Sequence, residues 1–154
     1  MATEYSLERV VVIGPGTYDA GHFLSILDPS KKESELGEEV KLNNFVTIYS
    51  TLFYWKHSDF IVDWLMDNTN EFINCHPAYE MSKPTLKALR DGMRNFINHW
   101  KSLETEEAIE DDESEWSYYL RNDDPETIEY FLSILDREID EFNCPGDAYR
   151  LTAG

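Results

Sequence analysis

In two parts of the chain, apolar residues recur at steps of three and four, the period of a helix buried on one face. Ser82 predicts a helix cap, and Pro84 falls in the first turn, where proline is tolerated. Gly92 interrupts the helix at a cost of ~1 kcal/mol relative to alanine. The stripe consists of Leu86, Leu89, Met93, Phe96, Ile97, Trp100 and Leu103. A second stripe, after Asp124-Pro125, consists of Ile128, Phe131, Leu132, Leu135, Ile139 and Phe142.

A third helix is predicted to begin near Asn43 or Asn44, because asparagine is a good helix cap. At ~1.5 Å per residue, its 25 to 30 residues would span roughly 40 Å. Its apolar positions are Phe45, Ile48, Tyr49, Leu52, Trp55, Phe60, Ile61, Trp64, Leu65 and Phe72.

Strand patterns lie nearer the ends of the chain. Glu8–Gly16 reads as a short strand, because β-branched residues lead into a Gly-Pro-Gly breaker. Asp19 can cap a short helix after it. The segment Ala148–Thr152 is predicted to pair with the strand. We therefore expect a mainly helical α+β fold, with three amphipathic helices around one core and a short N-terminal strand. The prediction is a single domain over 1–154, made of a strand and loop region (1–40) and a helical core (43–142) with an acidic connector (104–124).

The charge of the chain is more informative about its function than about its fold. The 154 residues carry a formal charge of −18. Residues 104–141 hold 16 acids and two bases, a net charge of −14. Duplex nucleic acid binds basic residues that replace its counterions, so direct nucleic-acid binding is not expected. A partner protein with a positive surface, including one that normally binds nucleic acid, suits this charge.

Other features narrow the class of protein. An apolar run near 18 residues is missing, as is a signal-peptide pattern, so we expect neither a membrane span nor export. The two cysteines, Cys75 and Cys144, make no disulfide framework, which favours a cytoplasmic location. The four histidines lack ligand spacing, so we expect no metal and no cofactor. Whether the chain forms a homo-oligomer stays open.

Eight carboxylates and no base occupy Leu103–Trp116. If Glu104–Glu115 were helical, one charge would fall every ~2.2 Å, close to the ~1.7 Å of duplex DNA. Like-charge pairs at steps of three and four would oppose that helix by roughly 1–4 kcal/mol in sum. The segment is therefore either a solvated loop or a protein-binding surface.

If the segment binds a partner, its acids would attract a basic surface and the aromatic residues after it would add contact area. The candidate partner-binding residues are Glu106, Glu107, Glu110, Asp111, Asp112, Glu113, Glu115, Trp116, Tyr118 and Tyr119.

Two other kinds of site compete with this one. Basic residues share one face of the helix that begins after Ser82, and they would either hold a small anionic nucleotide signal or pair with acids of this chain. The candidate anion-binding residues are Lys83, Lys87, Arg90 and Arg94, with Tyr54 or Trp55 stacking on a base. A third hypothesis is an enzyme that uses Cys75 or a carboxylate pair, for which the sequence offers no local motif.

Part of the chain, about residues 53–136, resembles small acidic proteins common in bacteriophage genomes. Their pattern is Tyr-Trp-Arg-Lys, a later Trp, an Asp/Asn-Cys pair, a Tyr and a Ser-capped helix. The matching positions here are Tyr54, Trp55, Lys56, Trp64, Asn74, Cys75, Tyr79 and Ser82, with Tyr118, Tyr119 and Leu120 ahead of Thr127-Ile128. The acidic stretch replaces the Gly-Phe-rich loop of that pattern. The resemblance implies a phage origin, intracellular action and a mostly helical fold. We therefore expect a phage-encoded inhibitor that covers the nucleic-acid-binding surface of a host or defence protein.

Overall fold

Two antiparallel sheets and a layer of helices make up the parts of the chain that the computed structural model describes, residues 4–27, 38–56, 59–69, 78–141 and 148–153. The strands are β1 (Tyr5–Ile13), β2 (Gly16–Asp19), β3 (Glu39–Leu42), β4 (Val46–Trp55), β5 (Ala78–Ser82) and β6 (Ala148–Ala153). The helices are α1 (Ala20–Leu27), α2 (Asp59–Asn68), α3 (Lys83–Ser102), α4 (Glu106–Glu110), α5 (Ser117–Asn122) and α6 (Pro125–Glu141).

The main sheet has four strands in the order β4-β1-β6-β5, and every neighbouring pair is antiparallel. The predicted pairing of the C-terminal segment with the N-terminal strand is confirmed, because β6 lies beside β1 with Leu151 opposite Leu7. Strands β2 and β3 form a separate ribbon, whose Tyr18 and Leu42 pack against Val11 and Ile13 at the far end of β1.

The predicted arrangement of three helices around one core with a short N-terminal strand is wrong. The described residues form an α+β fold of six helices and six strands in two sheets. The N-terminal strand has nine residues and lies inside the main sheet, between β4 and β6. Sheet residues supply much of the main core: Leu7, Phe53, Trp55, Met81, Tyr149 and Leu151.

The largest error is the helix predicted from Asn43 or Asn44 onward, which is strand β4 followed by helix α2. Buried and open positions alternate along the end of the strand: Phe53 and Trp55 are buried, whereas Tyr54 is 69% exposed. The run from Val46 to Trp55 is rich in β-branched and aromatic residues, which fit a pleated surface. Helix α2 then buries Phe60, Ile61 and Leu65. Phe72, the last residue of the predicted stripe, lies outside the described residues.

Two of the predicted helices are confirmed as α3 and α6. The hydroxyl of Ser82 accepts a hydrogen bond from the backbone N–H of Thr85, which caps α3 as expected. The predicted stripes are buried over most of their length: Leu86, Leu89, Met93, Phe96 and Ile97 on α3, and Ile128, Phe131, Leu132, Leu135 and Ile139 on α6. Trp100 and Leu103 are only partly buried against the core.

A buried ion pair fastens the sheet to α6. The guanidinium of Arg9 on β1 donates to both carboxylate oxygens of Glu138, at 2.5 and 2.6 Å. The hydroxyl of Tyr149 on β6 donates to the same carboxylate at 3.2 Å. Because Glu138 is only 4% exposed, these donors replace the water that its charge would otherwise need.

Candidate functional site

The acidic segment, defined here as residues 104–116, is neither one helix nor a plain loop. The side chain of Thr105 accepts from the N–H of Ala108 at 3.0 Å and caps the short helix α4, which ends at Glu110 with Asp111 as its C-cap. Arg121 on α5 donates to the backbone carbonyls of Glu110 and Asp112, at 2.7 and 2.9 Å. These two bonds fold the chain back, so the carboxylates do not form the evenly spaced row of a 12-residue helix.

Most carboxylates of the acidic segment point to solvent. Seven of the eight acids are exposed, and none of them is in an ion pair with a basic residue of the described ranges. The seven are Glu104, Glu106, Glu107, Glu110, Asp111, Glu113 and Glu115. Arg121, the base that reaches the segment, contacts its backbone carbonyls and leaves the charges uncompensated.

Asp112 is the exception, because it turns inward and holds the segment against α3. Its carboxylate accepts from the hydroxyl of Ser114 at 2.5 Å and lies 2.9 Å from the Nε2 atom of His99. These hydrogen bonds, with that from Ser114 the strongest cause, lower the pKa of Asp112 below its usual value. Asp112, one of the predicted partner-binding residues, therefore has a structural role.

The three aromatic candidates lie in different environments. Tyr118 is 52% exposed. Trp116 is partly buried with its ring 5.0 Å from that of His99. Tyr119 sits edge-on to Phe60, with ring centroids 5.3 Å apart, and its hydroxyl donates to Asp63 at 2.8 Å. Burial raises the pKa of the Tyr119 phenol far above its usual value, and the hydrogen bond to Asp63 and nearby carboxylates add to this effect.

A cavity of ≈ 370 Å³ opens beside the acidic segment, between α2, α3 and α5. Four aromatic residues contribute to its walls: Phe60, Trp64, Trp116 and Tyr119. Two exposed carboxylates, Asp67 and Glu115, also line it. Neither lysine nor arginine is among the described residues that line the cavity.

Gly92 allows α2 and α3 to approach each other at the cavity. A Cβ atom at this position would lie 2.5 Å from Nε1 of Trp64, which is far closer than two such atoms can come. From the sequence, Gly92 is only a weak point in a helix, and Trp64 is a position of a predicted apolar stripe and of the resemblance. The signal available in the sequence was a glycine within an otherwise strong helical stripe.

The basic face of α3 is largely engaged by acids of this chain. Arg94 forms an ion pair with Asp136 on α6, and Arg90 lies 3.2 Å from Asp91 and 3.8 Å from Asp136. Farther along the same helix, Lys101 pairs with Glu129 of α6. Lys83 also has a partner, while Lys87 is exposed.

The aromatic part of the anion-binding hypothesis lies at the end of β4. Trp55 packs against Phe131, with ring centroids 6.2 Å apart, and it lines a smaller cavity of ≈ 190 Å³ together with Tyr54 and Lys56. The Nε1 atom of Trp55 is buried without a hydrogen-bond partner in the described structure. None of the four basic candidate residues lines this cavity.

Other candidates fall outside these sites. Cys75, the nucleophile of the enzyme hypothesis, lies outside the described residues. The described residues contain no group of three or more histidine, cysteine or acidic side chains arranged to hold a metal ion. Among the helices in these ranges, none combines the length and the apolar character required to cross a membrane. Comparisons with protein-family models, with curated proteins and with solved structures find no match.

Proposed function

We propose that this chain is an acidic binding protein that covers a basic, nucleic-acid-binding surface of another protein and thereby inhibits it. The observation that supports this most is the set of seven exposed carboxylates in the acidic segment, which no described base neutralises. A phage origin and a host or defence protein as target, which the sequence resemblance suggests, belong to the proposal.

The acidic segment would act through concentrated potential rather than through the shape of a duplex. Its charges are folded into a short helix and turns, so they do not reproduce the regular spacing of phosphates. Charges within a Debye length of ~8 Å at physiological salt still add their potentials and steer a cationic surface toward the segment. Tyr118, the exposed ring nearby, supplies contact area once the two surfaces meet.

The structure gives the nucleotide-binding alternative less support. An anion on the basic face of α3 would have to displace Asp136 from Arg90 and Arg94. The tyrosine and tryptophan proposed to stack on a base line a separate cavity at the end of β4.

Two variants with the same net charge test whether binding depends on the acidic segment itself or only on the net charge of the chain. The first changes Glu106, Glu107, Glu110 and Glu113 to glutamine. The second makes four neutralising substitutions at exposed acids elsewhere: Glu38→Gln, Glu39→Gln, Asp140→Asn and Glu141→Gln. Proteins captured from a bacterial lysate by the unmodified chain are purified, and their association rates are measured at low and physiological salt.

The segment variant should associate about tenfold more slowly and show a weaker salt dependence, since steering raises association rates by ~10 to 10³. The control variant should keep most of the original rate, and duplex DNA should compete with the chain for the captured protein. Equal effects of the two variants, or simultaneous binding of DNA and this chain, would overturn the proposal.

A further inference from the structure

The cavity beside the acidic segment has the composition of a site for an organic cation. The rings of Trp64, Trp116 and Tyr119 line it, and the carboxylates of Asp67 and Glu115 are exposed at its surface. Aromatic faces carry negative partial charge and attract a cation placed over them. At ≈ 370 Å³ the cavity is near the lower end of the ~300–1,000 Å³ range of ligand sites, a size suited to one side chain.

The rings are held in place by the surrounding structure. The indole of Trp64 lies against α3 where Gly92 has no side chain. Tyr119 is fixed by its hydrogen bond to Asp63 and by edge-on contact with Phe60. Because ordered walls lose little conformational freedom on binding, such a pocket is preorganised for its ligand.

The charges around the cavity also favour a cation. Asp67 and Glu115 line it, and Asp63 lies directly behind the hydroxyl of Tyr119. The pKa of that phenol is raised by burial and by the carboxylates of Asp63, Asp67 and Asp123, so Tyr119 stays neutral at physiological pH. The described lining contains no base that would compete for these carboxylates.

We propose that this cavity receives an arginine side chain from the basic surface of the partner protein. The guanidinium group would lie against the faces of Trp64 and Trp116 and pair with Asp67 and Glu115. Arginine suits the site better than lysine because its planar group stacks on aromatic rings and is more weakly hydrated. The identity of the occupant as a partner's residue rests on the proposed function, whereas the affinity of the cavity for a guanidinium does not.

The test uses N-acetyl-arginine amide as the probe and its uncharged citrulline analogue as the matched control. The four tryptophans give four indole N–H signals in a nitrogen-15 correlation spectrum of the full chain. The arginine probe should shift the signals of Trp64 and Trp116 and leave those of Trp55 and Trp100 unchanged. Its affinity should exceed that of the citrulline analogue about tenfold, the scale expected for a desolvated cation–π contact.

A charge-matched pair of variants then locates the binding. The double variant Asp67→Asn with Glu115→Gln should bind the arginine probe about five- to tenfold more weakly, since both substitutions remove carboxylates that pair with the guanidinium. Asp140→Asn with Glu141→Gln removes the same charge elsewhere and should leave the affinity unchanged. The inference is overturned if arginine and citrulline bind equally, if neither binds up to the solubility limit, or if both variants weaken binding alike.

This outcome is separate from that of the partner experiment. If the cavity does not bind arginine, the acidic segment can still capture a partner protein, and that capture should still depend on salt and be competed by DNA. If the cavity binds arginine but no captured protein competes with DNA, the cation site stands and the proposed inhibitor function fails.

Discussion

Replacing Gly92 with alanine tests the close packing of α2 on α3 directly. Gly92 lies in the middle of α3, where glycine is expected to weaken a helix. An added Cβ would lie 2.5 Å from Nε1 and 3.0 Å from Cδ1 of Trp64, so the indole would have to move. Helix propensity and packing therefore predict opposite signs for the same substitution.

The two effects have comparable sizes. Alanine should gain ~1 kcal/mol over glycine in a helix interior. Forcing an extra carbon into a packed contact costs ~1–3 kcal/mol, so the variant should lose about 0–2 kcal/mol of stability in total. In a Trp64→Leu background the two nearest ring atoms are gone, and Gly92→Ala should then gain close to the full ~1 kcal/mol.

Urea unfolding of the four proteins in this cycle measures the coupling between the two positions, provided the slope of the transition is unchanged. Asn98→Ala is the control, because Asn98 is an exposed residue of the same helix. It should stabilise by about 0.5 kcal/mol from propensity alone. If Gly92→Ala stabilises the chain that carries Trp64 by ~1 kcal/mol, the close approach at the cavity is refuted.

Three further substitutions test contacts that hold the fold and the acidic segment. Glu138→Gln should cost about 3–5 kcal/mol in chemical denaturation because it removes the buried carboxylate to which the Arg9 guanidinium donates two hydrogen bonds, and changing both residues to methionine should cost less. Asp123→Ala removes the acceptor 2.8 Å from the N–H of Phe60, which should cost ~1–2 kcal/mol, and Asp123→Asn should recover part of that loss. Because the pKa of Asp112 is lowered from 3.8 in the folded chain, its ionised form stabilises the fold above that pH and the contribution is lost as pH falls further. The melting temperature of Asp112→Asn should therefore lie below that of the unmodified chain at neutral pH and approach it in acid; a constant difference would exclude this titration.

The helices that were predicted correctly have a one-sided environment. Helices α3 and α6 each bury a single stripe in the main core, and mostly polar and charged residues cover the rest of their surfaces. The helical period of such helices is clear in the sequence, and a capping serine or an Asp-Pro pair indicates where they begin. The pairing of β6 with β1 was also predictable, because both are runs rich in strand-forming residues.

Strand β4 was mistaken for a helix because large residues occupy both of its faces. Tyr49 is an exposed apolar residue on this edge strand, and Phe45, also exposed, lies directly before the strand; both are among the positions that mimicked helical steps. A bulge opposite Leu7 and Glu8 further interrupts the alternation. The informative signal was residue type, since β-branched and aromatic residues fill the run from Val46 to Trp55.

The candidate site was predictable only in the part that depends on composition. An excess of acids with no nearby base must face solvent, so the outward carboxylates of the acidic segment could be anticipated. The cavity could not, because Trp64, Gly92 and Trp116 come from three separate elements that meet only in the fold. Local sequence patterns do not predict which residues of separate elements come into contact in the fold.

The placement of basic residues explains why negative potential remains concentrated in the acidic segment. With 13 bases and 31 acids, the chain cannot neutralise every carboxylate. The pairs that form lie mainly within the sheet and between α6 and its neighbours: Arg9 with Glu138, Arg94 with Asp136, Lys101 with Glu129, and Arg150 with Glu8.

Arg121, which lies closest to the acidic segment, is directed to backbone carbonyls instead of carboxylates. The seven exposed acids of the segment therefore repel one another in the free protein, at a cost that a cationic partner would relieve on binding. Because the aromatic cavity adjoins this segment through Glu115 and Trp116, one approaching surface can satisfy both. Under the two proposals, the same shortage of bases would link long-range attraction by the segment to recognition of a single guanidinium in the cavity.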